Sequence, residues 1–160
     1  MRRGLSTLIV TALILLAPDL PAGAQGRTKE RRLDIPLAVN GTLMRGLELN
    51  GNLLAAGARF LREASTVAEY RLWSIGDRHP AMLRVREDGA AIALEVWSVP
   101  AAGLASVLLA EPPGLCIGKV RLADGDETLG VLAEAILCEG QREITKFGGW
   151  RAYVAERTTM

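Results

Sequence analysis

The sequence has one histidine and two cysteines in 160 residues, which is too few soft ligands for a zinc centre built on three or four His and Cys donors. It has no Gly-x-Gly-x-x-Gly turn, no phosphate loop ending in Lys-Ser/Thr and no Gly-x-Ser-x-Gly elbow. Dinucleotide binding, P-loop phosphate chemistry and serine-elbow hydrolysis therefore have no support, and neither a cofactor nor a metal is expected. An excess of charge is also missing. Setting aside Arg2, Arg3 and Asp19 from 19 basic and 18 acidic residues leaves 17 of each, so nothing points to a nucleic acid or an acidic membrane surface as partner. The basic cluster Arg27, Lys29, Arg31 and Arg32 lies in a polar stretch that reads as a solvated leader. The one long apolar run, Leu5 to Ala17, is shorter than the roughly 20 residues needed to span a bilayer.

What is present begins with that run. Arg2 and Arg3 precede it, Pro18 breaks it, and Ala22-Gly23-Ala24 offers small residues for cleavage. This is the pattern of a secretory signal peptide over residues 1–24. The expectation is a secreted or periplasmic protein with no stable membrane insertion after cleavage. A polar leader follows over 25–34, then one domain over 35–155 and a tail over 156–160. In an oxidising compartment Cys116 and Cys138 either close a disulfide or remain two buried free thiols.

Periodicity and punctuation divide the domain into about seven short strands and two or three short helices. Strands are expected at Leu33–Val39, Ala58–Glu63, Glu69–Ile75, Met82–Arg86 and Ala91–Val99, and again at Leu115–Leu122 and Thr128–Leu137. Asp88-Gly89 and Asp124-Gly125 read as hairpin turns, and Gly76 to Pro80 as a further turn. Asn50 suits the N-cap of a helix over 51–56 that Gly57 ends, and Pro100 opens a second helix that reaches Ala110 before Pro112-Pro113. Most connections look antiparallel. The fold class is α+β, a small, mixed, mostly antiparallel β-barrel with short helices.

The stretch Val39 to Leu61 stands out because Asn40-Gly41-Thr42-Leu43 turns the chain at a strand end, where bare backbone N–H groups make an anion cradle. An ordinary strand-to-helix turn has the same composition. Glu95 lies inside an apolar strand and must face solvent or be paired inside. Glu111 follows a Leu-rich helix and is either a site carboxylate or a polar stop. Arg84 and Arg86 share a strand face and either fork onto a carboxylate or are simply solvated. His79 is either a general base or an exposed loop residue.

Leu115 to Tyr153, with its Ala-Asp-Gly hairpin and its terminal Glu-Ile-Thr-Lys-Phe-Gly-Gly-Trp-Arg-Ala-Tyr, resembles the C-terminal domain of allophanate hydrolases. Leu49-Asn50-Gly51-Asn52-Leu53, Gly57-Ala58-Arg59-Phe60, Tyr70-Arg71-Leu72 and Gly89 to Trp97 fit the same family. The resemblance implies a gamma-glutamylcyclotransferase-like fold, in which a Tyr-Gly-Ser/Thr loop offers N–H groups to a substrate carboxylate and a Glu after the helix acts as acid and base. Gly41-Thr42-Leu43 matches that loop, with Asn40 in place of the Tyr, and Glu111 lies near the expected Glu. It also implies a role in breaking down a carbamate product and in assembly, without the amidase half or its Ser-Ser-Lys constellation. The expectation is a small-molecule carboxylate or carbamate site at Asn40, Gly41, Thr42 and Leu43, with Arg84 as a binding residue and Glu95 and Glu111 as catalytic carboxylates acting on carbamoyl or amide-type substrates. The alternative is a non-catalytic binding or assembly module of the cell envelope, a homodimer formed through exposed aromatics such as Trp73 or Trp97.

Overall fold

The computed structural model describes residues 33–159. The expected signal peptide and most of the leader lie outside the described residues. The described chain runs β1 (Asp34–Val39), α1 (Asn50–Ala55), β2 (Arg59–Ser65), β3 (Tyr70–Ile75), β4 (His79–Arg84), β5 (Ala93–Pro100) and α2 (Ala101–Ala110). It continues through β6 (Leu115–Arg121), β7 (Glu127–Ala133), α3 (Ala135–Cys138), β8 (Arg142–Glu143), a 3-10 turn (Thr145–Phe147) and α4 (Trp150–Thr159).

Two sheets result, one of five strands in the order β2-β5-β1-β7-β6 and one of three in the order β4-β3-β8. Every pairing is antiparallel except that of β1 with β7. The larger sheet closes on itself at one end. Its edge strands β2 and β6 meet through a bridge between Thr66 and Leu122, supported by Val67 N–H to Arg121 O at 3.0 Å and Ala123 N–H to Ser65 O at 2.9 Å. Arg62 pairs with Asp124 and Asp126 across the same seam. This is the small barrel expected from the sequence, and its closure removes a stretch of open edge. Leu37, Val39, Tyr70, Leu72, Met82, Ile92, Trp97, Val99 and Leu122 fill it.

Several expected boundaries move, each for a local reason. Asp88-Gly89 does not make a hairpin, because β4 pairs with β3 and the chain then crosses to β5 in the other sheet. A Cβ at Gly89 would lie 2.8 Å from the Tyr70 backbone nitrogen, so glycine lets the crossing segment press against β3, where Ala90 N–H bonds Tyr70 O at 2.8 Å. His79 and Pro80 belong to β4 rather than to a loop. Asn50 is the first residue of α1, not its cap, and its side-chain amide reaches back to Leu43 O at 2.9 Å. The last part of the expected strand Thr128–Leu137 is the single helical turn α3. Cys138 is buried there as a free thiol, pushed up to about 11 by burial, whereas Cys116 is a free thiol exposed on β6.

α1 and α2 meet where Gly103 faces the end of α1. A Cβ at Gly103 would fall 2.2 Å from the Ala56 carbonyl oxygen. Gly103→Ala, which raises helix propensity by about 1 kcal/mol, is therefore expected to destabilise the domain by about 2 kcal/mol, because the overpacking outweighs the propensity. A urea melt checks this, and a variant as stable as the parent would mean the two helices are free to separate.

Candidate functional site

At the end of β1 the backbone leaves the sheet at Asn40 and turns tightly. Met44 N–H closes on Gly41 O at 2.9 Å and Leu49 N–H on Thr42 O at 3.0 Å. Among the described residues no acceptor takes the N–H of Gly41, Thr42 or Leu43. Three successive N–H groups without an internal acceptor leave the turn with donors that an anion could take. The Asn40 side chain is not one of those donors. It is buried, and its amide donates to Val131 O at 3.2 Å and lies 3.1 Å from the Met82 sulfur, tying β1 to β7 and β4. Gly41 is required by packing, since a Cβ would stand 2.6 Å from Pro80 Cγ.

The turn opens on a cleft of about 380 Å³ lined by Asn40 to Leu43, Glu48 and Leu49 on one side, Asp77 to Pro80 on another, and Glu111, Pro112 and Leu115 across it. A volume of this order suits a small metabolite. Glu111 takes its place because Pro112 ends α2 and leaves Glu111 extended at the helix terminus, with φ −68° and ψ 141°. Burial, with no opposing charge or hydrogen bond, pushes its carboxyl above the usual carboxylate range. The carboxyl of Asp77 shifts the other way. Hydrogen bonds from Tyr153 and Ser74 hold it below the usual range, with Arg157 and Arg142 adding to the effect. Of the three carboxyl groups that line the cleft, Glu111 and Asp77 thus differ in proton affinity from each other, an arrangement that separates acid from base.

The structure brings Glu111 together with Asn40, Gly41, Thr42 and Leu43. It does not bring Glu95 or Arg84 to that cleft. Glu95 is buried on the far side of the turn, where Oε2 accepts Arg45 N–H at 2.9 Å and Trp97 Nε1–H at 3.1 Å, and Oε1 accepts Arg45 Nε–H at 3.1 Å and an Arg151 Nη2–H at 3.2 Å. With both oxygens engaged, it anchors the loop that follows the turn. Arg84 donates twice to Glu69 on the surface of β4, at 2.9 and 2.6 Å, and Arg121 shares the same carboxylate. Trp97 is buried against Phe60 and is no exposed aromatic. His79, read from the sequence as either a general base or an exposed loop residue, lies on the rim of the cleft with Asp77 and Arg78, which the sequence did not single out. The signal was the run Gly76-Asp77-Arg78-His79-Pro80, legible as a turn but not as a rim. Among the described residues no group of three His, Cys, Asp or Glu is placed to hold a metal.

The family model of the allophanate hydrolase C-terminal domain matches residues 35–155. The chain belongs to that family. Saccharomyces cerevisiae urea amidolyase is 33% identical over 126 residues, 74% of this chain and 7% of the yeast enzyme, so the chain spans only a small part of that relative. Kluyveromyces lactis allophanate hydrolase is similar at 31% identity and a TM-score of 0.73, over 82% of this chain and 23% of the other. A uropathogenic E. coli-specific protein is similar at 59% identity and a TM-score of 0.75, covering 77% of this chain and 97% of its own. Solved structures at 18–20% identity share the gamma-glutamylcyclotransferase-like fold alone. In this member of the allophanate hydrolase C-terminal domain family, the terminal Phe-Gly-Gly-Trp-Arg-Ala-Tyr motif is structural. Gly148, at φ 67°, turns the chain into α4, and Ala93 N–H bonds Gly148 O at 2.8 Å. Arg151 then donates to Arg45 O at 2.9 Å and so braces the loop behind the turn.

Proposed function

We propose that the cleft binds a small carboxylate or carbamate on the N–H groups of Gly41, Thr42 and Leu43, and that Glu111 exchanges a proton with an amide or carbamoyl nitrogen of the bound molecule. The observation that carries this reading is the placement of an unpaired, half-buried carboxyl group in the same 380 Å³ cleft as three unclaimed backbone N–H groups. The turn neutralises the anion and orients it. Glu111, disfavoured as an anion by burial, holds a proton at higher pH than an ordinary carboxyl and is suited to serve as acid and base near its shifted pKa. The relatives named for allophanate and urea chemistry support a substrate with adjacent carboxyl and amide groups. N-carbamoylglycine and oxamate are suitable probes. Each is expected to raise the midpoint of thermal unfolding in a concentration-dependent way. No shift with either probe, or an equal shift in a variant whose turn is blocked by Thr42→Asp, would remove the turn as the site. Export belongs to the same reading and rests on the pattern of residues 1–24. A mature N-terminus at Gln25 by mass spectrometry supports it, and a chain retaining Met1 overturns it.

A second reading, an assembly module, is favoured by a different observation. No charged residue occurs from Leu49 to Ala58 or from Val96 to Ala110, and the two helices within these stretches leave Leu54 and Leu109 exposed. A charge-free face suits a second copy of itself, because no ion is left unpaired when the faces close. If the chain forms a dimer through this face, Leu109→Glu is expected to weaken it by at least about tenfold in sedimentation velocity without lowering the melting temperature. A dimer unaffected by the substitution would place the interface elsewhere.

A further inference from the structure

The closing helix α4 contributes no residue to the lining of the cleft, yet it is fastened to the cleft's rim. The hairpin between β3 and β4 turns at Gly76 and Asp77, with Arg78 N–H on Ile75 O at 3.0 Å. Both residues have positive φ, 55° and 60°. The left-handed conformation is natural for glycine and costly for aspartate, and a glycine at the second position would make the same turn without strain. The aspartate side chain shows what the strain retains. Asp77 Oδ1 accepts the Tyr153 hydroxyl at 2.5 Å and the Ser74 hydroxyl at 2.7 Å, and lies 3.6 Å from Arg157 Nη1. Arg157 also donates to the Asp77 carbonyl at 3.3 Å. Tyr153 is itself fixed, buried to 1% exposure with its ring against Phe147 and Trp150.

We propose that Tyr153 is a positioning residue: through Asp77 it holds the tip of the β3–β4 hairpin, and with it Arg78 and His79, in place along the cleft. This rests on the reading of the cleft as a ligand site, and it assigns the terminal Tyr of the family-like motif a task that its sequence did not suggest. The hydroxyl donates to the aspartate carboxylate, the carboxylate locks a left-handed turn, and the turn fixes where the next two side chains leave the backbone. Ser74 secures the same oxygen from within β3. The Tyr153 and Ser74 hydrogen bonds do most to hold the carboxyl below the usual range, and Arg157 on α4 and Arg142 on β8 add to that. α4 therefore braces one wall of the cleft, the hairpin, through Tyr153 and Arg157, and the loop behind the turn through Arg151.

His79 is the only histidine in the chain, so a single imidazole Cε1–H resonance reports the rim without ambiguity and without any ligand. In the parent protein that resonance is expected to carry a small inflection at low pH from Asp77. Asp77→Asn, which keeps the acceptor but cannot ionise, should abolish the Asp77 inflection, leaving only what Glu48 and Glu111 of the same cleft contribute, and leave the resonance sharp. Tyr153→Phe keeps the ring packing and removes the hydroxyl. It is expected to move the inflection up in pH, because the hydrogen bond that does most to lower the Asp77 carboxyl is gone, to broaden the His79 resonance, and to weaken N-carbamoylglycine binding by about tenfold as two rim side chains lose their order. A His79 resonance and inflection unchanged in Tyr153→Phe would overturn the proposal, and so would a lowered melting temperature with an unchanged resonance, which marks a merely structural hydroxyl. If neither probe binds the parent protein, the ligand reading fails on its own, and the His79 result still decides whether Tyr153 positions the rim.

Discussion

Glu95→Ala is expected to lower the stability of the domain by about 3 kcal/mol, seen as a reduced urea midpoint with an unchanged m value. The carboxylate is 2% exposed and accepts four hydrogen bonds from three residues. Its loss does not affect the donors equally. The side chains of Arg45 and Arg151 are about half exposed, at 42% and 52%, so water replaces much of what they lose. Trp97 Nε1–H and the backbone N–H of Arg45 face the interior, and leaving each without an acceptor costs about 1–3 kcal/mol. Glu95→Gln keeps an acceptor and should cost less than half as much. The cleft itself should suffer only indirectly, through the loop that Arg45 anchors. If Glu95→Ala abolished ligand binding at unchanged stability, Glu95 would return to the site as a ligand-contacting group.

The second large effect is expected at Glu111. If Glu111 is the acid and base, Glu111→Gln lowers turnover by about 10²–10⁴-fold, the usual contribution of a positioned proton donor, while N-carbamoylglycine binding survives because the anion is held by the turn. The stability of the same variant carries an independent signature. Burial raises the folded-state pKa of Glu111 above its unfolded value, so the folded state holds the proton more tightly. Stability of the parent then falls as pH rises from the ordinary glutamate range through the raised folded pKa, and the penalty is complete above it. Glutamine cannot ionise and avoids that penalty. Glu111→Gln is therefore expected to be more stable than the parent at neutral pH and equal to it well below the ordinary glutamate range. Chemical denaturation at several pH values checks the trend. A variant less stable at neutral pH would show that the carboxylate has a partner and is structural.

These two carboxylates illustrate how far sequence reasoning reached into the site. Both were singled out by position: Glu95 because a charge inside an apolar strand must be paired or exposed, and Glu111 because it follows a helix near a turn. Their environments were not legible. Glu95 pairs in register with Val39, but besides Trp97, two residues on, its oxygens are claimed by Arg45 and Arg151, which lie 50 and 56 residues away in the chain. Arg84, also a candidate, is held by Glu69 through a pairing of neighbouring segments. Local spacing identifies a charge that needs a partner, and only the folded chain says which partner it has.

The hairpin tip makes the same distinction. Gly-Asp-Arg-His-Pro was readable as a turn, since glycine and proline punctuate wherever they occur. That this turn rims the cleft, and that an aspartate is held there in a left-handed conformation by a tyrosine 76 residues later, depends on where α4 packs.

The sequence by itself determined the fold class, the family and the Gly-containing turn at the end of the first strand. Alternation, turn residues and the terminal aromatic motif are local properties that survive in any reading frame of the fold. Tertiary structure alone decided that Thr66 and Leu122 bridge the edge strands, that Asn40 is a buried tie between strands, and that Glu111 rather than Glu95 or Arg84 lines the cleft beside the turn. Those outcomes depend on contacts between residues tens of positions apart, where burial removes water and leaves each polar group with whatever partner the packing provides.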